Sequence, residues 1–458
     1  MSVEMLKESL ETPVAGEFDV CVIGGSCTGV FAAIRAAQAG ARVALIEMNG
    51  ILGGTATAGM VNIWHSLYDT EGRKQIIAGL TLEMIERLKL RDAVKVRAPT
   101  DTSAYAIFNP AEMTIELDMM LAEAKLIRPF LHARFVKPIM DGDGKVVAAV
   151  IEDKSGRRAI KARAFVDASG DGDLIHRAGL PTWKGERLQP PTTGAVINGY
   201  DEIAKLNPGF TIEKALEPCY GGGFKHLMAW SADYPGFPGM RFLAATRVNG
   251  ADCSDADSLT DAEIEGRRQV RAIFDVVRGK MQGGDKLRLA ALSSATGIRE
   301  TRHCEALHRL EEMEVLDGVR FPDAIANGSY RVDVHGGAGI VFKYLNGRSS
   351  VQRLAADGLH SEWVEGRWRE ETASSPTFYQ IPYRSLVPKG ARNALSAGRI
   401  VDASESAYGA VRVMVNCNQT GEAAGLAAAM AADSGCEIDR IDVQELRAKL
   451  AQAGAIII

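Results

Sequence analysis

The stretch from Phe18 to Glu47 constrains this chain more than any other. FDVCVI (18–23) reads as a short buried strand, and Gly24-Gly25-Ser26-Cys27-Thr28-Gly29 as a glycine-rich turn. Residues 28–39 read as a helix in which Ala32, Ala33, Ala36 and Ala37 permit close packing on a sheet. Gly40 suits the helix stop, and RVALIE (42–47) is a second buried strand. Strand, tight turn, helix and strand in this order make a βαβ unit, which lays parallel strands side by side. The loop occupies the place of a GxGxxG fingerprint. There the first glycine makes the turn, the helix N-terminus receives a pyrophosphate, and the acid closing the second strand accepts from ribose hydroxyls. Glu47 is that acid, and a carboxylate there disfavours NADP, whose 2′-phosphate it would repel. Ser26 stands where a second glycine usually lets backbone approach phosphate, which predicts a slightly displaced loop or a hydroxyl contact.

The rest of the chain falls into two styles. FLHARFVKPIM (130–140) and KVVAAVIED (145–153) read as two strands joined by the turn Asp141-Gly142-Asp143-Gly144, and ARAFVDA (162–168) as another buried strand. Residues 190–384 are richer in Trp, Tyr, Pro and Gly and lack the βαβ rhythm, with helices expected over 261–282 and about 300–313. The first style returns with a strand around 393–397 and an Ala-rich helix from about Thr420 to Ala432. The expected fold class is therefore α/β. A discontinuous Rossmann-type domain spans 18–189 and 385–458, with a small cap-like insertion at about 60–128, and an α+β substrate domain spans 190–384.

Composition removes several function classes. Lys and Arg number 53 against 58 Asp and Glu, a net charge of -5 without a long basic run, so nucleic acid is not an expected partner. The seven cysteines are scattered, odd in number and never spaced CxxC, which disfavours a disulfide framework, a zinc site or an iron–sulfur cluster. No metal is expected. The acidic residues near the N-terminus do not suit a signal peptide, and no run is apolar enough to span a bilayer, so a cytoplasmic location away from membranes is expected.

Three further stretches carry a resemblance: NGILGGTAT (49–57), VDASGDGDL (166–174) and LSAGRIVDASESAYGAVRVMVNCNQTGEAAGLAAA (395–429). With GIRETR (297–302), YRVDVH (330–335) and IPYRSLVP (381–388), the chain resembles the FAD-dependent oxidoreductase family of the glutathione-reductase-2-like fold, from about residue 18 to 432. The resemblance implies FAD as cofactor. It implies Gly24, Ser26, Cys27, Thr28 and Gly29 at the pyrophosphate, Glu47 on the adenosine ribose, and Gly54 and Thr55 near the phosphates and ribityl chain. It further implies Phe135 or Val136 beside adenine, Ala168, Ser169 and Gly170 behind the adenosine half, and Gly398 and Arg399 on the ribityl side. Asn418, Thr420 and Gly421 would start the last helix, whose positive end can face the flavin.

For the chemistry, Arg299 and Arg302 have the fork geometry that grips acidic groups, the alternative being an ion-pair network with Glu300. Asp333 and His335, two apart on a strand, would share a face, and a carboxylate can orient an imidazole that removes a proton. Gly336-Gly337 beyond them suggests a backbone that is crowded or close to a ligand. His65, in VNIWHS, follows the Gly53-Gly54 loop and is a candidate proton donor, substrate contact or covalent flavin attachment point. Tyr383, Arg384 and Arg412 complete the candidates, with an ion pair to Glu405 or Glu422 as the bland reading of Arg412.

The expected reaction is a two-electron oxidation, with hydride transfer to flavin N5, of a small polar metabolite that is anionic or hydroxylated. The rivals are reduction of an activated C=C bond and a flavin-containing RNA-modification or binding scaffold. No second GxGxxG unit follows the first, so electrons are expected to leave to oxygen, a quinone, a protein carrier or an oxidised substrate. Ile456-Ile457-Ile458 and the Ala-rich helix read equally as a homo-oligomer interface or a docked C-terminus.

Overall fold

Strand β1 (Val14–Ile23) turns Val20 and Val22 to one side of a sheet and Cys21 and Ile23 to the other, and all four are buried in the computed structural model. Strand β2 (Val43–Ile46) repeats the alternation: Val43 and Leu45 join one core, Ala44 and Ile46 the other. Apolar residues on both faces are what a central parallel strand requires. Between them α1 (Cys27–Gln38) buries its alanines against the sheet. The structure describes residues 5–219, 228–336, 339–357 and 361–458, so Gly337 lies outside the described residues.

The sheet grows from this unit. β3 (Ile127–Phe130) adds in parallel beside β2. β4 (Arg134–Met140) and β5 (Val146–Asp153) form an antiparallel hairpin, and β6 (Gly156–Asp167) runs parallel to β1 while its first half pairs with β5. The expected strand over 130–140 is thus two strands. The break falls at Leu131-His132-Ala133, where His132 takes a left-handed φ of 53° and turns the chain.

Two four-stranded antiparallel sheets occupy the middle of the chain, beside the two-stranded pairing of Ala324–Gly328 with Tyr379–Pro382. β7 (Ala195–Asn198), β8 (Trp230–Asp233) and β9 (Met240–Ala244) precede α2 (Ala256–Lys280), which is followed by β10 (Arg288–Leu292); the sheet order is β8-β9-β7-β10. Leu243 and Ala245 pack under Val270, Ile273, Phe274 and Val277 of α2, so Phe242 and Ala244 face the opposite way. The second sheet is a meander of β11 (Val332–Gly336), β12 (Gly339–Lys343), β13 (Arg348–Leu354) and β14 (Ser361–Arg367). The helix expected at about 300–313 does not form. His303–Cys304 instead pairs with Thr182–Trp183, and only Glu312–Leu316 is helical. The reason is tertiary: His303 is buried, stacked on Trp183 at 4.2 Å, and the backbone of Glu305 and Leu307 bonds to Pro181 and Val387.

The chain then returns to the first sheet. β15 (Ala394–Ser396) pairs in parallel with Phe165–Asp167 of β6, making the seventh strand, and α3 (Met414–Ser434) packs along α1 with nearly every residue buried. The parallel strands run in the order β3-β2-β1-β6-β15, with the chain reversing direction of growth at β1, the kind of switch point where open α/β sheets bind ligands. This helix begins six residues before the expected Thr420, at Met414, with Val413 in the N-cap position, and it is not the last one, because a further helix, Val443–Gln452, follows it. Asn327, Gln380 and Arg447 bind the carbonyls of Ile456 and Ile458, docking the C-terminal residues on the core. Among the described residues no helix is long and apolar enough to cross a membrane.

Candidate active site

A cavity of about 480 Å³ opens at the C-terminal ends of the parallel strands. Ile23 and Gly24 after β1, Glu47 after β2, Ala168 and Ser169 after β6, and Ala397 and Gly398 after β15 all line it. Strand ends converge here because every parallel strand points the same way, and the turns that follow carry free backbone groups.

In this half the first intrahelical bond of α1 runs from Val30 N–H to the Ser26 carbonyl (2.9 Å), leaving the amides of Cys27, Thr28 and Gly29 outside the ladder. Ser26, Cys27 and Thr28 line the cavity, so the positive end of α1 faces it. Gly24 holds a φ of +101°, and a side chain there would meet the Ala168 carbonyl at 2.3 Å; only glycine makes this turn against β6. Ser26 substitutes for the second glycine without disturbing the turn: it bridges to Gly53, and its hydroxyl caps no backbone amide. Glu47 accepts from Gly25 N–H (2.7 Å) through one oxygen and from the Asn49 amides (2.7 and 2.8 Å) through the other, and burial raises its pKa. Gly54, Thr55, Phe135, Gly170, Arg399 and Asn418 also line the space. Arg399 Nη1 and Asn418 Oδ1 are buried there with no partner among the described residues.

Four of the expected cofactor contacts lie behind the wall. Val136 turns away, its carbonyl held by Arg177. Gly29 faces the Gly24 carbonyl inside the turn. Thr420 is one turn too deep in α3, where its hydroxyl accepts from Gly398 N–H (3.0 Å) and donates to the Cys417 carbonyl (2.7 Å). Gly421 packs on the Thr28 carbonyl, which a Cβ would approach to 2.2 Å. The helix end that does face the cavity is Val413-Met414: Asn416 and Cys417 both donate to the Val413 carbonyl, leaving the Met414 and Val415 amides outside the ladder.

The far half of the cavity is cationic. Arg247, Arg299, Arg331 and Arg412 line it, together with Asp333, His335, His65 and Tyr330. Thr192 Oγ1 accepts from both Arg299 Nη1 (2.6 Å) and Arg247 Nη1 (3.1 Å), clamping the two guanidinium groups side by side; among the described residues neither meets a carboxylate. Burial pulls Arg247 down to about 10, and burial together with repulsion from Arg247 and Arg412 holds Arg299 well below the usual arginine range. Arg412 reaches Asp333 through its carbonyl (3.1 Å) and carboxylate (3.7 Å), not Glu405 or Glu422, and its buried Nε has no partner among the described residues.

Asp333 is the hub of the proton-bearing groups. Tyr330 donates to Oδ2 at 2.8 Å, and His335 Nε2 lies 3.1 Å from Oδ1, close but off the angle of a hydrogen bond. Burial would raise the Asp333 carboxyl, yet His335, Arg412 and Arg331 around it outweigh burial and hold it well below the carboxylate range. Burial pushes His335 down to about 3 despite that carboxylate, and His65 likewise to about 3, so both rings are neutral near pH 7. His65 packs against Tyr330 with centroids 4.0 Å apart and planes tilted by 55°, and leaves Nδ1 buried without a partner among the described residues.

Three sequence candidates are not part of this site. Arg302 points away, to the Asp171 and Ser254 carbonyls and Asp173. Tyr383 is buried under the Ile438 carbonyl (2.7 Å), and Arg384 pairs with Asp323. Glu300 binds His303 and the Gln189 amide rather than Arg299, so the ion-pair network imagined for GIRETR does not form. Sequence reasoning missed Tyr330 and Arg331, although they sit in the quoted YRVDVH, and Asp171 in SGDGD, which holds Arg399 at 3.0 Å. It also missed Arg247, Thr192, Trp230 and Phe242, for which no local pattern gives a signal.

The family model described as FAD dependent oxidoreductase matches residues 19–450. The mitochondrial dihydrolipoyl dehydrogenase of Schizosaccharomyces pombe is 35% identical over 88 residues, spanning only 17% of this chain and 17% of that protein. Among solved structures, the chain is similar to a geranylgeranyl bacteriochlorophyll reductase-like protein of Thermoplasma acidophilum at 12% identity and a TM-score of 0.48, covering 96% of this chain and 84% of that one. It is also similar to the anhydrotetracycline hydroxylase OxyS of Streptomyces rimosus at 14% identity and a TM-score of 0.43, covering 95% of this chain and 66% of that one.

Proposed function

Because this chain belongs to the FAD dependent oxidoreductase family, we propose that it oxidises a small hydroxy or amino acid by two electrons, Arg247 and Arg299 holding the acid group and His335 taking the proton. The residues present fit FAD. The cavity joins a free helix N-terminus and a carboxylate-closed second strand to buried polar atoms of Arg399 and Asn418 that await a partner. Gly24, Ser26, Cys27 and Thr28 would hold the pyrophosphate, Glu47 the adenosine ribose, Phe135 the adenine side, and Arg399 with the Val413–Met414 helix end the flavin half. FAD, when bound, supplies the acceptor for the electron pair, and its reoxidation by oxygen, a quinone or a protein carrier in a cytoplasmic enzyme belongs to the same proposal.

The observation that carries the reading is the charge imbalance of the far half: among the described residues four arginines face one carboxylate, and two of them are clamped together with no acid of their own. A buried cation that meets only neutral acceptors lacks a counter-charge, which is costly, so the site favours an anion. A bound substrate carboxylate would also raise the proton affinity of His335 from its depressed value, matching the ring to its task. Asp333 would then stabilise the imidazolium as the substrate O–H or N–H proton leaves. The test is anaerobic mixing of the FAD-loaded enzyme with a panel of hydroxy acids, amino acids and sugar acids. Bleaching of the flavin by an acid, slowed about 10²–10⁴-fold in His335→Gln with FAD retained, is expected. Bleaching by neutral alcohols alone would overturn the reading.

One observation favours the reverse direction, reduction of an activated C=C bond. Arg299 lines the cavity clamped beside Arg247 through Thr192, and burial with the neighbouring arginine charges lowers its proton affinity, which suits it to protonating a substrate carbon. Rapid reoxidation of the chemically reduced enzyme by an enoate under argon would select that reading.

A further inference from the structure

We infer that the acid taken by this cavity carries an apolar arm of ring size, seated on the wall that Trp230 and Phe242 build beside Arg247. The inference rests on the reading that Arg247 and Arg299 hold an acid group. Four observations carry it.

Phe242 and Ala244 of β9 turn to the cavity while Leu243 and Ala245 bury under α2, and β8 places Trp230 directly opposite Ala244 on the same face. The Trp230 and Phe242 rings lie 5.8 Å apart with planes at 60°, forming one tilted apolar surface. Position 194, just before β7, is a glycine, and a Cβ there would come within 2.7 Å of the Phe242 ring, so the ring occupies space that any other residue would take from it. Finally, Arg247 follows the end of β9 by three residues and lines the same cavity as Trp230, Phe242 and Ala244, so one space presents both the apolar wall and the paired guanidinium groups.

A ligand satisfying both surfaces is anionic at one end and apolar at the other. A small hydroxylated acid of the size of lactate would leave the wall wet. The wall's own side chains, Trp230, Phe242 and Ala244, carry no charge and offer the arm little hydrogen bonding, so selectivity there comes from buried area.

Three probes separate the two surfaces by calorimetric titration of the FAD-loaded enzyme, a readout that needs no turnover: acetate, phenylacetate and phenylacetamide. Phenylacetate is expected to bind at least about tenfold tighter than acetate, and phenylacetamide far more weakly than phenylacetate. Trp230→Ala should collapse the phenylacetate-to-acetate ratio. Equal affinity of phenylacetate and acetate in the wild-type enzyme, as when the wall is already covered by the cofactor, overturns the apolar arm and leaves the anion site standing. Equal affinity of phenylacetamide and phenylacetate instead overturns the anion site on which the inference rests. The wild-type series decides both points even if the Trp230 variant does not fold.

Discussion

At the scale of single residues, burial has a measurable signature in the two neutral histidines. His65 and His335 bind protons near pH 6.5 when unfolded and only near 3 when folded, so the unfolded state takes up more protons between these values. Stability therefore falls as pH drops through that window, by up to about 1.4 kcal/mol per pH unit for each ring. Asp167 works in the opposite sense: burial raises it to about 6, so it contributes stability as pH falls from about 6 towards 4. The net expectation is a decline between pH 6.5 and 3 that is shallower in His65→Asn or His335→Gln, read from urea midpoints at fixed FAD saturation. A midpoint independent of pH across the window would mean that neither ring is held neutral. Arg299 makes a second residue-scale case. Arg299→Met removes one arm of the paired clamp, and the affinity for an acidic substrate should fall about 10- to 100-fold while FAD stays bound. Unchanged KM would remove Arg299 from the substrate site.

At the scale of elements, the contact of α1 with α3 joins the two ends of the chain behind the cofactor site. Gly421 lets α3 lie on the Thr28 carbonyl, and Arg35 reaches across to Glu422 at 2.6 Å with both side chains buried. A methyl at position 421 would meet backbone and force the helices apart. Gly421→Ala should cost about 1–3 kcal/mol in urea unfolding and weaken FAD retention, because Thr28 stands in the first turn of α1. Gly142→Ala, where an added Cβ meets nothing, is the control and should leave both readings unchanged. Equal behaviour of the two variants would show that the helix contact is slack.

At the scale of the whole molecule, the cavity takes walls from residues 23–65, 103–173, 192–247, 295–335 and 397–418, so no single segment contains it. FAD bound across these walls should stabilise the fold as one unit. Saturation at about 100 times its Kd should add about 2.7 kcal/mol and shift the whole unfolding transition together. Two separate transitions, with FAD affecting one, would show instead that the antiparallel sheets unfold apart from the parallel one.

The sequence alone determined the βαβ unit, its glycine turn and Glu47, because a buried parallel strand and a phosphate-binding turn impose local demands that a short stretch must meet by itself. It also brought Asp333 and His335 together, since two residues on one strand share a face whatever the strand packs on. Tertiary structure alone decided which arginine of GIRETR faces the cavity. Arg299 and Arg302 are both plausible forks on paper, and only the docking of Arg302 against Asp171 and Ser254 takes it away. The same holds for Tyr383, whose hydroxyl found the Ile438 carbonyl, and for Arg247, clamped to Arg299 through Thr192. Contacts between residues far apart in sequence leave no period and no spacing to read, because each partner meets only the ordinary requirements of its own strand or loop.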